Sequence, residues 1–236
     1  MTFRRTMSRP TCCRLTCRVV PWMGATLLMA ALPALSGCGL VGYAATAVTP
    51  PTTIQAAYTG LSGKSCAVAV WADNGTLDDY HAIQLDTAKG IEFKMNEAAK
   101  ANIKEAANIH WVAPEQVLKY QEDHPDLDPQ SAEELAPELG VERLLYVEVE
   151  DFSTHPNDSP DLSRGSMTAT LEIIEVKDGK GKVVYTERGI NVVAPEKCPP
   201  VGLPNLCDDA VYQATVSEFT SELCKRLVPH EEDAES

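Results

Sequence analysis

One short polar segment contains most of the side chains in this sequence that could do acid–base or metal chemistry. It comprises Asp73, Asp78, Asp79 and His81, and it follows the apolar run 66–71. Carboxylates beside an imidazole are suited to general acid–base catalysis and to binding divalent metals. Because ligands often bind at the carboxyl edge of an α/β sheet, a hydrolase or metal-dependent enzyme built on this segment is our alternative hypothesis. We favour a solvated loop with no catalytic residue and no metal.

The rest of the chain has no motif of a common enzyme class. The five histidines are scattered without the i, i+4 spacing of a metal-binding helix, and no G-x-S-x-G or G-x-G-x-x-G is present. The run Gly60-Leu-Ser-Gly-Lys64 has two residues between its glycines, whereas a phosphate-binding loop needs four. The sequence therefore predicts a protein that is not an enzyme and has no cofactor.

The N-terminal residues have the composition of a secretory signal. The first 37 residues contain five Arg and no Asp or Glu, and their apolar run, 19–35, is too short and too interrupted for a spanning helix. The run ends in Leu35-Ser36-Gly37-Cys38, which resembles the lipobox of bacterial lipoproteins. That resemblance implies that Cys38 receives a diacylglyceryl group, that cleavage removes residues 1–37, and that the new amine is acylated. The alternative is an N-terminal transmembrane anchor or an uncleaved signal, in which Cys38 would have no role.

The lipobox resemblance also predicts a location and a division of the chain. Gly39 follows the lipidated position, and the absence of Asp there favours the outer membrane, facing the periplasm, over the inner membrane. Residues 38–60 are uncharged and include Pro50-Pro51, which predicts an extended, lipidated tether. We predict a single domain over residues 61–229 and an acidic tail over 230–236.

The cysteines are expected to divide according to this processing. Cys12, Cys13 and Cys17 would leave with the signal, which leaves four beyond Cys38: Cys66, Cys198, Cys207 and Cys224. An even set outside the cytoplasm favours disulfides. Of the three connectivities we favour Cys198–Cys207, which closes a short loop worth roughly 2–3 kcal/mol, together with Cys66–Cys224. The alternative is that Cys66 and Cys224 are buried and reduced.

The elements that must position these residues follow the pattern of an α/β fold. Predicted strands cover residues 66–71, 109–112, 141–152, 166–176 and 182–193, and predicted helices cover 85–104, 114–120, 132–139 and 208–227. The last two strands are joined by residues 177–181, which indicate a hairpin around Asp178-Gly179. The order predicts a mixed sheet with parallel early strands and a later antiparallel hairpin, covered by helices.

Part of this pattern is similar to a known domain family. The segment from Ala136 to Leu145 has the form A-x-x-L-G-V-x-x-L-L, which resembles the TolB amino-terminal-like domain of curli-secretion lipoproteins and penicillin-binding-protein activators. The similarity covers roughly residues 61–228 and departs from the family at Trp71–Asn74, where a Pro-Phe-type turn is usual. It implies binding to an envelope protein or self-association, and none of the matched residues is catalytic.

The charge of the chain limits its partners. The 236 residues have 20 Lys and Arg against 34 Asp and Glu, a formal charge of −14, which excludes a general nucleic-acid binder. Removing the five signal arginines leaves 15 basic residues against the same 34 acids, a formal charge of −19. Such a chain is repelled by anionic head groups, so we expect attachment to the membrane through lipid on Cys38 and a basic partner surface.

Overall fold

The computed structural model describes residues 52–124, 132–156, 159, 161–197, 199–204 and 206–232. The strands are β1 (Thr52–Ile54), β2 (Ser65–Ala72), β3 (His110–Trp111), β4 (Arg143–Ser153), β5 (Leu162–Ser163), β6 (Gly165–Lys177), β7 (Lys180–Ala194), β8 (Leu203–Pro204) and β9 (His230–Glu232). The α-helices are α1 (Asn74–Asp79), α2 (Ile83–Lys100), α3 (Pro114–Asp123), α4 (Ala132–Glu138) and α5 (Asp208–Cys224). No helix in these ranges is long and apolar enough to cross a membrane.

The main sheet confirms the predicted α/β class. Its five strands lie in the order β3-β2-β4-β6-β7. The early strands β3, β2 and β4 are parallel, and β4, β6 and β7 are antiparallel to one another in turn. Alternation of side chains between the two faces of a strand places an apolar set on each side of the sheet.

Helices cover both faces of this sheet and bury two apolar cores. On one face, Ile91 of α2 and Phe219 of α5 pack with Val68, Val147 and other inward-facing strand residues. On the other face, Leu135 of α4 packs with residues of the same strands that point the opposite way. The β2 run is apolar throughout because its residues alternate between these two cores.

The hairpin between β6 and β7 is tighter than predicted. The strands extend to Lys177 and from Lys180, so only Asp178 and Gly179 form the turn. Their φ values are 52° and 72°, and a type I′ turn requires positive φ at both positions. Asp tolerates this conformation and Gly adopts it without a steric cost, so the predicted Asp-Gly hairpin is confirmed.

The segment after β2 differs from the prediction. Within the segment of Asp73, Asp78, Asp79 and His81, for which the sequence predicts a solvated loop, Asn74–Asp79 form the short helix α1. The Oδ1 of Asp73 accepts a hydrogen bond of 2.8 Å from the backbone N–H of Thr76, which is the geometry of an N-cap. A single helical turn has too few apolar residues to show a 3.6-residue period, so the pattern could not reveal it.

The folded region extends past the predicted limits of 61 and 229. Strand β1, within the predicted tether, pairs antiparallel with β9, within the predicted acidic tail. Tyr58 then joins the domain, because its N–H donates to the carbonyl of Arg226 at 3.0 Å and its hydroxyl accepts from Arg143 Nε at 3.0 Å. The two ends of the domain are therefore held together at one place.

We predict that Gly165→Ala destabilises the domain by about 1–3 kcal/mol through overpacking. A Cβ at Gly165 would lie 1.8 Å from Thr215 Oγ1, and Thr215 is fully buried with its hydroxyl bonded to the carbonyl of Val211. The added change Thr215→Ala removes that hydroxyl and should recover part of the loss. Urea unfolding of the four proteins measures the coupling. Strictly additive effects would contradict this close contact.

Candidate functional site

The structure divides the predicted ligand loop instead of gathering it into one site. Asp73 is occupied as the N-cap of α1, and Asp78 is exposed. Asp79 and His81 lie on either side of Tyr80, just before α2, and both line a cavity. Half of the predicted cluster therefore belongs to a concave site and half of it does not.

The cavity has a volume of about 350 Å³ and lies between the first turns of α2 and α5. Its walls include three carboxylates, two tyrosines and one histidine: Asp79, Asp86, Asp209, Tyr80, Tyr212 and His81. We call it the acidic–aromatic cavity. It lies beyond the carboxyl end of β2, the edge at which α/β sheets commonly bind ligands.

Tyr80 and Tyr212, which line the cavity, pack against each other and against the ring of Phe152. The rings of Tyr80 and Phe152 meet edge to face with centroids 4.6 Å apart, and Phe152 meets Tyr212 in the same way at 5.6 Å. Tyr80 and Tyr212 are nearly parallel, with an interplanar angle of 9° and centroids 6.0 Å apart. Both arrangements are favourable for aromatic quadrupoles, so the wall is well ordered by packing.

A hydrogen bond joins the two helices at the floor of the cavity. The Tyr212 hydroxyl donates to Asp86 Oδ2 at 2.9 Å, across 126 positions of sequence. Burial of the ring raises the pKa of the Tyr212 hydroxyl, and the bond to the Asp86 carboxylate raises it further. Tyr212 therefore stays protonated as a donor under ordinary conditions, which holds the Asp86 carboxylate in place.

The raised pKa of Tyr212 predicts that the domain loses stability in alkali. A hydroxyl whose pKa is raised in the folded state stabilises fully below the unfolded pKa, near 10, and loses that contribution as pH rises toward the folded value. The difference in unfolding free energy between wild type and Tyr212→Phe should therefore shrink from pH 9 to pH 11 in urea titrations. Tyr185, whose pKa is raised to about 12 by burial and by its bond to Glu187, should behave similarly. A constant difference would contradict the assignment.

A second chain of hydrogen bonds runs beside the cavity. The Tyr80 hydroxyl and Thr154 Oγ1 lie 3.0 Å apart, Thr154 Oγ1 and His155 Nδ1 are 3.0 Å apart, and His155 Nε2 is 3.3 Å from Asp208 Oδ1. Hydroxyl, imidazole and carboxylate are the groups of a hydrolytic triad. Thr154, however, is 2% exposed and already bonded to Tyr80. These hydrogen bonds link the end of β4 to the start of α5. The Thr154 hydroxyl is buried, so it is not accessible to a substrate.

The carboxylates of the cavity do not form a metal centre. Across the described ranges there is no group of three or more His, Cys, Asp or Glu side chains placed to hold a metal ion. Among the carboxylates that line the cavity, Asp86 is engaged by the hydroxyl of Tyr212. What the arrangement offers is negative charge next to aromatic faces, which is suited to binding an organic cation.

The cysteines depart from one predicted pairing. Cys66 and Cys224 are free thiols, so the bridge between them is not formed. Each lies in the core against a different carbonyl, Cys66 against Leu61 and Cys224 against Ile91. Burial raises the pKa of both thiols to about 12, so they are inert small core residues. Cys207 is exposed, and its predicted partner Cys198 and the lipidation residue Cys38 lie outside the described residues, so the Cys198–Cys207 bridge and the lipid on Cys38 stay predictions.

Sequence reasoning missed the part of the site that comes from the last helix. Asp209 and Tyr212 lie in the first turns of α5, and Asp86 lies in the first turn of α2. The only available signal was that both helices begin with acidic residues, which is also typical of any helix N-terminus. Nothing in the local pattern indicates that the two helix starts meet.

No protein-family profile matches the chain, so the resemblance at residues 136–145 stays a prediction. No curated protein sequence matches it either.

Solved structures show distant similarity. A PelC dodecamer from Paraburkholderia phytofirmans is 16% identical, with 73% of this chain and 96% of that chain covered and a TM-score of 0.38. The lipoprotein GNA1162 from Neisseria meningitidis is 11% identical, with 68% and 98% covered and a TM-score of 0.35. The protein CT253 from Chlamydia trachomatis is 15% identical, with 56% and 72% covered and a TM-score of 0.31. Similarity at this level says nothing about function.

Proposed function

We propose that this protein is a lipid-anchored component of the bacterial cell envelope whose α/β domain binds a partner protein and catalyses no reaction. The observation that carries the proposal is the box Leu35–Cys38, placed behind a basic and then apolar segment and joined by a short tether to an acidic domain. Gly39 favours the outer membrane over the inner membrane, with the domain facing the periplasm.

The tether would keep the domain close to the membrane. Thirteen residues, 39–51, separate Cys38 from the first residue of β1. Fully extended, they reach about 43–47 Å, since each residue spans at most about 3.3–3.6 Å. Because β1 pairs with β9, residues 52–54 belong to the folded domain and do not lengthen the tether. Partners in the membrane, or beside it, are therefore within reach.

The surface of the domain supports a basic partner. Besides the acidic–aromatic cavity, Glu148, Glu150 and Glu172 lie near one another on the sheet, where burial and then the two other carboxylates raise the pKa of Glu148 and the nearby Arg188 only partly offsets the rise. These carboxylates repel one another, so a cationic partner surface would relieve an existing cost. Charge pairs of this kind speed association and give it a strong dependence on salt.

The proposal can be tested by crosslinking in intact envelopes. The full-length protein is compared with a form in which a cleavable secretory signal replaces residues 1–38, so that the same domain is released without lipid. We expect a discrete crosslinked partner with the anchored form and a clear loss of it with the soluble form, because tethering raises the local concentration at the membrane.

Two other outcomes have defined meanings. An adduct of twice the mass of the chain would identify self-association as the binding mode. Equal crosslinking of the anchored and soluble forms would contradict the role of the anchor, and the absence of any adduct from either form would contradict binding as the function.

A further inference from the structure

The acidic–aromatic cavity continues into a second cavity along the same pair of helices. The second cavity has a volume of about 340 Å³ and shares Asp86 and Gln213 with the first. It runs between α2 and α5 as far as Phe93 and Thr220. We call the two together the α2–α5 groove. Because the two cavities share these residues, they lie side by side, and the two ends of the groove differ chemically.

One end of the groove is acidic and aromatic. Asp79 and Asp209 are exposed, and no salt bridge to either is present within the described part of the chain. The near-parallel rings of Tyr80 and Tyr212 lie with them. No Lys or Arg is among the residues that line this end. Carboxylates and tyrosine faces both attract an ammonium or guanidinium group.

The other end is apolar with a basic rim. Phe93 projects from α2 with 60% of its surface exposed, although aromatic side chains usually bury most of theirs. Gly90 allows α2 to approach α5 closely at this end, since a Cβ there would lie 2.7 Å from Thr220 Cγ2. Lys89 and Lys94 flank Phe93, and Lys89 is paired with Glu115 at 2.7 Å. An apolar side chain is favoured at this end, and a second cation is not.

We propose that the α2–α5 groove binds a segment of a partner protein that places a Lys or Arg over the acidic–aromatic end and an apolar side chain on Phe93. Asp86 lines both cavities and lies seven helical positions before Phe93, so a cation beyond Asp86 and an apolar side chain on Phe93 should be at least about 10 Å apart at 1.5 Å per residue. This spacing corresponds to two turns of a helix or about three residues of an extended strand. The proposal rests on the partner-binding function above and adds where and what the domain binds.

Charge complementarity selects this occupant. The acidic end attracts a cation while the lysines beside Phe93 repel one, so the groove orients its ligand and favours a segment of mixed character. A lipid surface with anionic head groups would be repelled by the carboxylates. A uniform polycation would be attracted to the acidic end and repelled by the lysines at the other end.

The test uses a random 12-residue peptide library displayed on phage and the lipid-free chain from Gly39 to Ser236, whose folding is checked by circular dichroism and cooperative urea unfolding. Peptides that bind are synthesised and titrated against two variants, Asp79→Asn with Asp209→Asn, and Phe93→Ser. All three residues are exposed, so these changes should leave the fold intact. Matched controls outside the groove are Asp123→Asn with Asp178→Asn, and Val201→Ser, whose side chain is 67% exposed.

We expect selected peptides to contain a basic and an apolar residue at the stated spacing and to bind each groove variant about tenfold more weakly or worse, with the controls unchanged. Failure to select any peptide that depends on the groove residues would overturn the proposal. Equal binding of oligolysine, or equal loss with the control variants, would also overturn it by showing general charge attraction. Because this assay needs no lipid, its failure leaves the envelope crosslinking result standing as a separate test of the proposed function.

Discussion

Replacing Phe219 with alanine is expected to lower the free energy of unfolding by about 3–5 kcal/mol. Phe219 is fully buried on the inner face of α5 and packs in the core that joins α2, α5 and the sheet. Removing the ring loses its transfer free energy and leaves a cavity that close-packed neighbours cannot fill. Because whole domains are stable by about 5–15 kcal/mol, this one change would consume a large part of the total.

The same residue type on the neighbouring helix gives the matched control. Phe93 is mostly exposed, so Phe93→Ala should change the unfolding free energy by no more than about 0.5 kcal/mol. Urea titrations measure both, and in a thermal scan Phe219→Ala should lower Tm by roughly 6–20 °C. Similar losses for the two variants would mean that the core is not organised around α5 in this way.

Replacing Cys38 with alanine is expected to abolish the attachment of lipid. The thiol is the predicted acceptor of the diacylglyceryl group, and alanine has no nucleophile to replace it. Each long acyl chain contributes on the order of 10 kcal/mol at about 0.8 kcal/mol per buried methylene. A processed chain with a formal charge of −19 gains no compensating attraction from an anionic surface. Incorporation of radiolabelled palmitate is the measurement, and the label should fall to background.

Cys207→Ala is the control for this experiment. Cys207 is exposed at the start of α5, so it is the described cysteine most accessible to acylation. Its replacement should leave labelling unchanged. Label that persists in Cys38→Ala and falls in Cys207→Ala would place the lipid on the folded domain and would refute the lipobox assignment.

The strands of the main sheet could be predicted because their signals are local. A buried strand such as β2 is a short apolar run, and the hairpin is indicated by just two residues, Asp178 and Gly179. Strands β1 and β9 could not be predicted in this way. Each strand has only three residues, most of them polar, so neither has a local strand pattern. They form because the two ends of the domain, far apart in sequence, pair with each other.

The candidate site was predictable only in part for the same reason. Asp79 and His81 follow a recognisable buried strand, so their position at the sheet edge could be inferred. Tyr212 and Asp209 reach the same cavity from a helix near the other end of the chain, and no local pattern specifies that meeting. The pairing of Cys66 with Cys224 was wrong for a related reason, since both are in one core but face different carbonyls.

The mass and N-terminal residue of the protein isolated from envelopes test the central claim most directly. The account predicts a chain that begins at Cys38 and carries the added mass of a diacylglyceryl group and an amide-linked acyl chain, both confined to the N-terminal peptide after proteolysis. A chain that still begins at Met1, or that is cut elsewhere and carries no lipid on Cys38, would contradict the account.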